Sequence, residues 1–285
     1  MKMLNSTAMM RLFILLILVV HTASVMKIFS KAAERTNREG HQGTGNEINM
    51  DEYPNSIDDE FKGCKEKMHE LIKPKLEIEL QSNENFSTAW TESKVALNLT
   101  HKSNSDLTAE ELRDVALLTY TGKYIHGDLN NKMRNGKDKY LTEFGLISLH
   151  FLITDGIQTR NAEQHPRRTC QTAYRRTEVA FDLTETFVRF GSFASSSLST
   201  LQEFGTKTCF IITTCYGADI SEISMFGYEA EVLIPPYERF VKDPVTDIPP
   251  GFSECERVYK LRSVGKKSNM KCEYIKVNAQ GCFSG

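Results

Sequence analysis

The sequence predicts an α+β protein, with a helical first half packed on a mostly antiparallel sheet built from the second half. Three observations carry this expectation. Between about residue 53 and residue 160 the apolar residues recur at helical spacing. After Thr169 the pattern changes to short β-rich runs separated by Gly, Pro, Asn and Ser clusters. The order, helices first and strands later, favours helices segregated to one face of a sheet.

Taken in order, the chain opens with Lys2 and Arg11, an unbroken apolar run from Leu12 to Val20, and small residues at Thr22, Ala23 and Ser24. That run is too short to span a bilayer and suits a signal peptide over residues 1–24. Residues 25–52 are polar and rich in Gly, Asn and charge, and are expected to be a disordered arm or pro-segment. The folded domain is expected over residues 53–278, with a short tail at 279–285. Thr108 followed by Glu111 is a capping box, Leu112, Val115 and Leu118 follow at helical spacing, and Gly122 is a stop. Tyr140 to Gln158 is apolar on most sides and predicts a buried helix. Strands are expected at Thr172–Tyr174, Phe187–Phe190, Thr208–Cys215, Glu231–Ile234, Val258–Leu261 and Glu273–Val277. No internal repeat is present.

Composition narrows the function. Of 285 residues, 40% are hydrophobic and 25% charged, enough for one large domain with a real core. Lys and Arg number 35 against 37 Asp and Glu, so no strong field favours nucleic acid or an anionic membrane. The seven cysteines include no C-x-x-C pair, and no two histidines have metal-ligand spacing, so no metal site is expected. After export the cysteines are disulfide candidates, and the odd count leaves one over. Sequons at Asn85 and Asn98 agree with export, whereas the one at Asn5 falls inside the expected signal. The last ten residues lack a hydrophobic tail, so a secreted protein without stable membrane insertion is expected rather than a lipid-anchored one.

Three stretches offer chemistry. Glu229-Ala230-Glu231 precedes a Val-Leu-Ile-Pro-Pro strand, whose alternation would point both carboxylates the same way. Val188 to Leu198 runs from an apolar strand into a hydroxyl-rich segment able to hold a sugar or orient a carboxylate. Tyr174-Arg175-Arg176 ends a short strand, and arginine suits phosphate recognition. Each has a plainer reading as a solvated strand end, a loop or a surface pair. His150 is expected to be a hydrogen-bonded core residue. Neither a P-loop nor a G-x-G-x-x-G fingerprint is present.

Together, Arg175, then Phe193-Ala194-Ser195-Ser196-Ser197, then Glu229-x-Glu231 resemble the R-S-E-x-E signature of the arginine-specific ecto-ADP-ribosyltransferases. The segment from Asn55 to Cys64 is similar to the family's N-terminal segment. Ala116–Thr121, Leu149–Leu152, Thr214–Ala218 and Asn269–Glu273 also match, so the resemblance runs from about residue 53 to 277. It implies the ADP-ribosyltransferase fold, with NAD bound in a cleft of that fold rather than on a Rossmann domain. The implied reaction moves ADP-ribose from NAD, with NADP as a further donor, to arginine side chains of target proteins. In that reading Glu231 stabilises positive charge on the ribose, and Glu229 receives the acceptor guanidinium. Arg175 holds the phosphates, Ser195 fixes the ribose and the catalytic glutamate, and Tyr120 and Ser224 contact NAD. Phe226 or Tyr228 would stack on the incoming arginine. The resemblance also pairs Cys64 with Cys272, closing a loop for which chain entropy predicts roughly 4–5 kcal/mol, and Cys170 with Cys215. Cys255 with Cys282 is expected only because both lie late in the chain.

Two positions depart from the family pattern: Arg176 stands where glycine is common, and Ser192 where glutamine is common. They keep open a secreted binding protein without turnover. An NAD glycohydrolase on the same fold is the other alternative, and Glu229 tilts the choice toward transfer, because hydrolysis has no necessary work for an acceptor carboxylate.

Overall fold

A computed structural model of the chain describes residues 47–280 apart from residue 168 and residues 201–203. The expected signal peptide, most of the expected arm and Cys282 lie outside the described residues. Within them, the helical half comprises α1 (Lys65–Ser82), α2 (Glu84–Ala96), α3 (Ala109–Thr121), α4 (His126–Arg134) and α5 (Ile147–Gln164). The strands are β1 (Ile48–Asn49), β2 (Gln171–Thr177), β3 (Phe181–Asp182), β4 (Phe187–Val188), β5 (Ala194–Ser197), β6 (Thr208–Thr214), β7 (Ala218–Asp219), β8 (Glu231–Ile234), β9 (Glu238–Asp243) and β10 (Arg257–Lys266). A last helix, α6, covers Glu273–Gln280.

Helix boundaries follow local chemistry. At α3 both arms of the capping box form: Glu111 N donates to Thr108 Oγ1 and Thr108 N to Glu111 Oε2, and Gly122 follows the last turn. α2 starts where the Asn83 side chain accepts from Phe86 N at 3.0 Å. α5 differs from expectation, beginning at Ile147 rather than Tyr140 and running on to Gln164. Gly145 has φ +66°, which ends the preceding turn, and the first free amides of α5 are taken by a carboxylate from another helix. Glu79 of α1 accepts from Ile147 N at 2.8 Å and Ser148 N at 2.9 Å, so a buried acid meets the positive end of the buried helix. Every residue of α5 from Ile147 to Ile157 is buried, as its all-round apolarity implies.

The eight-stranded sheet has the order β4-β9-β10-β6-β2-β5-β8-β7, antiparallel throughout except for the parallel pair β10–β6. A separate parallel pair, β1–β3, takes in residues expected to belong to the arm. Ile48 N donates to Ala180 O, and Met50 is 1% exposed. Two main cores follow from strand alternation. On β8, Leu233 joins Phe193 and the helices, while Val232 and Ile234 join Ala173, Phe210, Phe240 and Leu261.

Three expectations are corrected. Residues 273–277 are helical, not a strand: Cys272 takes φ +55°, Glu273 N bonds Asp59 Oδ2 at 3.2 Å, and Ile275 N returns to Cys272 O. Cys255 pairs with Cys209, not Cys282, because the loop before β10 returns over β6. His150 is a core residue, but neither ring nitrogen has a partner among the described residues. It lies among the rings of Phe61, Tyr140, Phe144 and Phe193, and burial pushes its pKa down to about 3, so it is neutral. The Cys64–Cys272 and Cys170–Cys215 bridges are present as the resemblance implies.

One buried ion pair ties the halves. Arg189, after β4, and Asp58 are both fully buried, with Nη1 to Oδ2 at 2.5 Å. Arg189 also donates to the carbonyls of Glu52, Tyr53 and Lys267, and Asp58 accepts from Asn269 N and Met270 N. Replacing Asp58 with Asn keeps size but leaves a buried guanidinium without its counter-charge, which costs about 3–5 kcal/mol. Urea denaturation of D58N should show a midpoint lowered to match. A shift within error of zero would mean that the pair does not organise the fold.

Candidate active site

Residues from both halves converge where α3 meets β5 and β8. β5 and β8 pair antiparallel, with Ser195 opposite Leu233 and Ser197 opposite Glu231. Glu231 opens β8 and is 5% exposed. Its Oε2 accepts from Ser224 Oγ at 2.9 Å, and Ser224 Oγ in turn accepts from Phe226 N at 3.2 Å. Met225 N bonds Thr121 Oγ1, so the turn carrying Ser224 is fastened to the end of α3. Arg175, on β2, donates from Nη1 to Ser195 O at 2.5 Å. Tyr120 of α3 is 3% exposed, receives Asn130 Nδ2 at 3.0 Å and donates to Phe193 O at 3.4 Å. Five expected site residues therefore share one locus: Tyr120, Arg175, Ser195, Ser224 and Glu231.

The sixth, Glu229, is close in the chain but is not on the strand. It ends a short 3-10 turn, Gly227–Glu229, and Ala230 takes the left-handed conformation with φ +47°. The expected same-face pairing of Glu229 and Glu231 therefore fails as a strand argument, because a residue at positive φ breaks the alternation. Ser197 Oγ instead holds the Glu229 carbonyl at 2.5 Å, and Leu198 N bonds Ala230 O at 2.9 Å. Glu229 is half-buried at the rim, beside Tyr228, which is 71% exposed and rings edge-on with Phe226.

Electrostatics at this locus are poised. Burial raises the pKa of Glu231, and hydrogen bonds from Ser195 and Ser224 and the charge of Arg175 oppose the rise without cancelling it. Burial also lowers the pKa of Arg175; Tyr120 and Glu231 favour its charge, while Arg134 opposes it. Arg134 ends α4, and Asn130 on the same helix bonds Tyr120. Sequence reading missed both residues, since a cation and an amide on a short polar helix carry no signal of their own. The two departures from the family pattern adjoin this locus: Arg176 follows Arg175 on β2 with its side chain directed elsewhere, and Ser192 shares the Phe193 carbonyl with Tyr120. Arg176 is 5% exposed and bonds the carbonyls of Gly205 and Gly251, and Ser192 is 2% exposed and donates to Phe193 O. Among the described residues no group of His, Cys, Asp and Glu could hold a metal, and no helix is long and apolar enough to cross a membrane.

Residues 50–267 match the family model for NAD:arginine ADP-ribosyltransferases. The chain belongs to this family. The human GPI-linked NAD(P)(+)–arginine ADP-ribosyltransferase 1 is 34% identical over 260 residues, covering 84% of this chain and 77% of the relative. The rat T-cell ecto-ADP-ribosyltransferase 2 is 33% identical, covering 82% of this chain and 84% of the relative. A crystal structure of the mono-ADP-ribosyltransferase ART2.2 superposes with TM-score 0.66 at 32% identity, covering 80% of this chain and 99% of that one. A mutant of that enzyme in complex with NAD gives TM-score 0.67 at 30% identity. The ADP-ribosyltransferase fold expected from the resemblance is thus the fold observed, and three disulfides suit an oxidising compartment.

For an acid whose pKa is raised on folding, the ionised form is the penalised one. The folded state loses stability as pH rises from the unfolded value through the folded value, and the penalty is constant above it. Replacing Glu231 with Gln should therefore raise the melting temperature at about pH 7–8, and the gain should vanish below about pH 3.5, where the carboxyl is protonated in both states. Thermal scans across pH read this directly. A destabilised E231Q protein at neutral pH would mean that the charge is needed by the fold rather than held against it.

Proposed function

We propose that Glu231, Ser195, Arg175 and Glu229 carry the reaction that family membership gives this chain, the transfer of ADP-ribose from NAD to arginine side chains of target proteins. The supporting observation is a buried carboxylate, Glu231, held by serine hydroxyls and set beside a half-buried arginine, Arg175.

In the reaction the bond between the ribose C1′ and the nicotinamide nitrogen breaks, its electron pair leaving with nicotinamide. A guanidino nitrogen of the acceptor bonds C1′ and gives up one proton. Positive charge develops on the ribose in between, as in glycoside hydrolysis. A carboxylate fixed before the charge appears stabilises it without reorganising, and Ser195 and Ser224 keep Glu231 fixed. Arg175 supplies a planar donor for the NAD phosphates, with Arg134 as a second cation toward the same charge. Tyr120 and Ser224 complete the contacts to NAD. Glu229, at the rim, receives the acceptor guanidinium through paired, charge-assisted hydrogen bonds and accepts its proton. Phe226 or Tyr228 offers a ring for the cation to stack on. NADP as a further donor, a mature chain beginning after residue 24, glycans on the exposed Asn85 and Asn98, and release from the cell complete this reading.

Two substitutions test it in one assay, with labelled NAD in the presence and absence of agmatine. Glu231→Gln should lower nicotinamide release by on the order of 10²-fold or more, the scale of losing one preorganised electrostatic group, while NAD binding changes far less. Release near the wild-type rate would remove Glu231 from the site. Glu229→Gln should keep much of the NAD hydrolysis but lose the agmatine adduct. An unchanged ratio of adduct to free ADP-ribose, or equal loss of both, would deny Glu229 the acceptor role.

A further inference from the structure

Arg176 follows Arg175 on β2, and consecutive strand residues project to opposite sides. While Arg175 turns to Ser195, Arg176 enters the protein and donates from Nε to Gly205 O at 2.8 Å and from Nη1 to Gly251 O at 2.6 Å. Among the described residues its hydrogen-bond partners are these two carbonyls. A guanidinium buried against neutral acceptors is poor stabilisation, because its desolvation is only partly offset. What it supplies is position, since a planar fork fixes two loops at once.

We propose that Arg176 is a positioning residue for the acceptor side of the active site, setting the place of Glu229 and thereby the division of ADP-ribose between arginine and water. The inference rests on the acceptor role proposed above for Glu229.

The path from Arg176 to Glu229 is continuous. Gly251 has φ +90°, and a Cβ there would stand 3.2 Å from both O and Oγ1 of Thr200, so the Gly251 backbone lies directly on Thr200. Thr200 ends the run Ser197-Leu198-Ser199-Thr200, which is bonded to the Glu229 turn. Ser199 N donates to Ser197 Oγ at 3.0 Å, Ser197 Oγ donates to Glu229 O at 2.5 Å, and Leu198 N donates to Ala230 O at 2.9 Å. The loop bearing Gly251 has its own anchors in the Cys209–Cys255 disulfide and in Phe252, which is fully buried against Tyr174. Cys209 is the cross-strand partner of Arg176. Without Arg176 the loop thus stays attached, and what is lost is its setting against Thr200. Among the described residues the hydrogen bonds of this path go to none of the side chains of Arg175, Ser195 and Glu231, so the effect should fall on the acceptor more than on NAD.

The test compares Arg176→Gly and Arg176→Lys with the wild type, each at full length and secreted, using labelled NAD with and without agmatine. Without acceptor, NAD hydrolysis by Arg176→Gly should stay within about twofold of wild type, while the agmatine KM rises and the ratio of adduct to free ADP-ribose falls, each about fivefold or more. Arg176→Lys keeps one donor for Gly251 O and should restore at least half of that ratio. Wild-type KM and ratio in both variants would overturn the proposal, as would proportional loss of both activities, which marks general support of the site. Melting temperatures report folding. If Arg176→Gly does not fold, Gly251→Ala, which presses on Thr200 while keeping the guanidinium, must shift the ratio instead. Glu229→Gln run in parallel separates the two readings. If it leaves the ratio unchanged, the acceptor reading fails whatever Arg176 does. If it collapses the ratio and the Arg176 variants do not, only the positioning role fails.

Discussion

The buried pair of Arg189 and Asp58 is the interaction on which the rest of the structure hangs, because it satisfies the buried polar groups of three chain segments where they meet. The guanidinium takes carbonyls from residues 52, 53 and 267, and the carboxylate takes amides from residues 269 and 270. Backbone groups in irregular segments must find partners when buried, and here one ion pair serves as hub for six of them, the Pro236 carbonyl included. Its stability in isolation would be doubtful, since two desolvated charges only repay their burial when every remaining donor and acceptor is used. The hub meets that condition. It also stands next to β5 in the chain: Arg189 is followed by the turn that delivers Phe193 and Ser195 to the candidate site, so the same residue that closes the fold sets the start of the hydroxyl-rich strand.

The candidate site concentrates unfavourable local states. Glu231 is held ionisable in a place that penalises its charge, and Ala230 is held left-handed, a conformation that costs a residue with a Cβ roughly 1 kcal/mol or more. Both lie in adjacent residues where β8 begins. Such concentration of unfavourable local states is expected where a structure must present a charge to a transition state rather than solvate it.

How much of this was legible in the sequence depended on the range of the interaction concerned. α3 was readable at both ends because its signals, Thr108, Glu111 and Gly122, act within one turn. The start of α5 was not, because its amides are capped by Glu79 of another helix, far away in sequence. Glu273–Val277 has strand-like composition, yet Asp59 and the Cys64–Cys272 bridge start a helix there. Cys209–Cys255 could not be deduced from spacing, since it depends on how the loop before β10 folds back. At the site, order and spacing of Arg175, Ser195 and Glu231 sufficed to bring out a motif, and the structure brings them together. The geometry of Glu229 was misread because period-two alternation assumes an extended Ala230, and no residue type announces the left-handed exception as glycine would have done. Arg134 and Asn130 stayed silent because their meaning arises only where α4 packs beside Tyr120.

The Cys64–Cys272 bridge joins residues 208 positions apart, with Cα atoms 6.4 Å from each other. Tension applied between the segment before Cys64 and the segment after Cys272 therefore crosses the protein through one covalent link. The eight-stranded sheet lies within the closed loop, whereas β1 and the carbonyls of residues 51–53 held by Arg189 lie before Cys64 and meet a pull from that side first. A pull on the N-terminal side would therefore peel β1 from β3 and strain the Arg189 contacts, while the strands inside the loop stay closed by the covalent link.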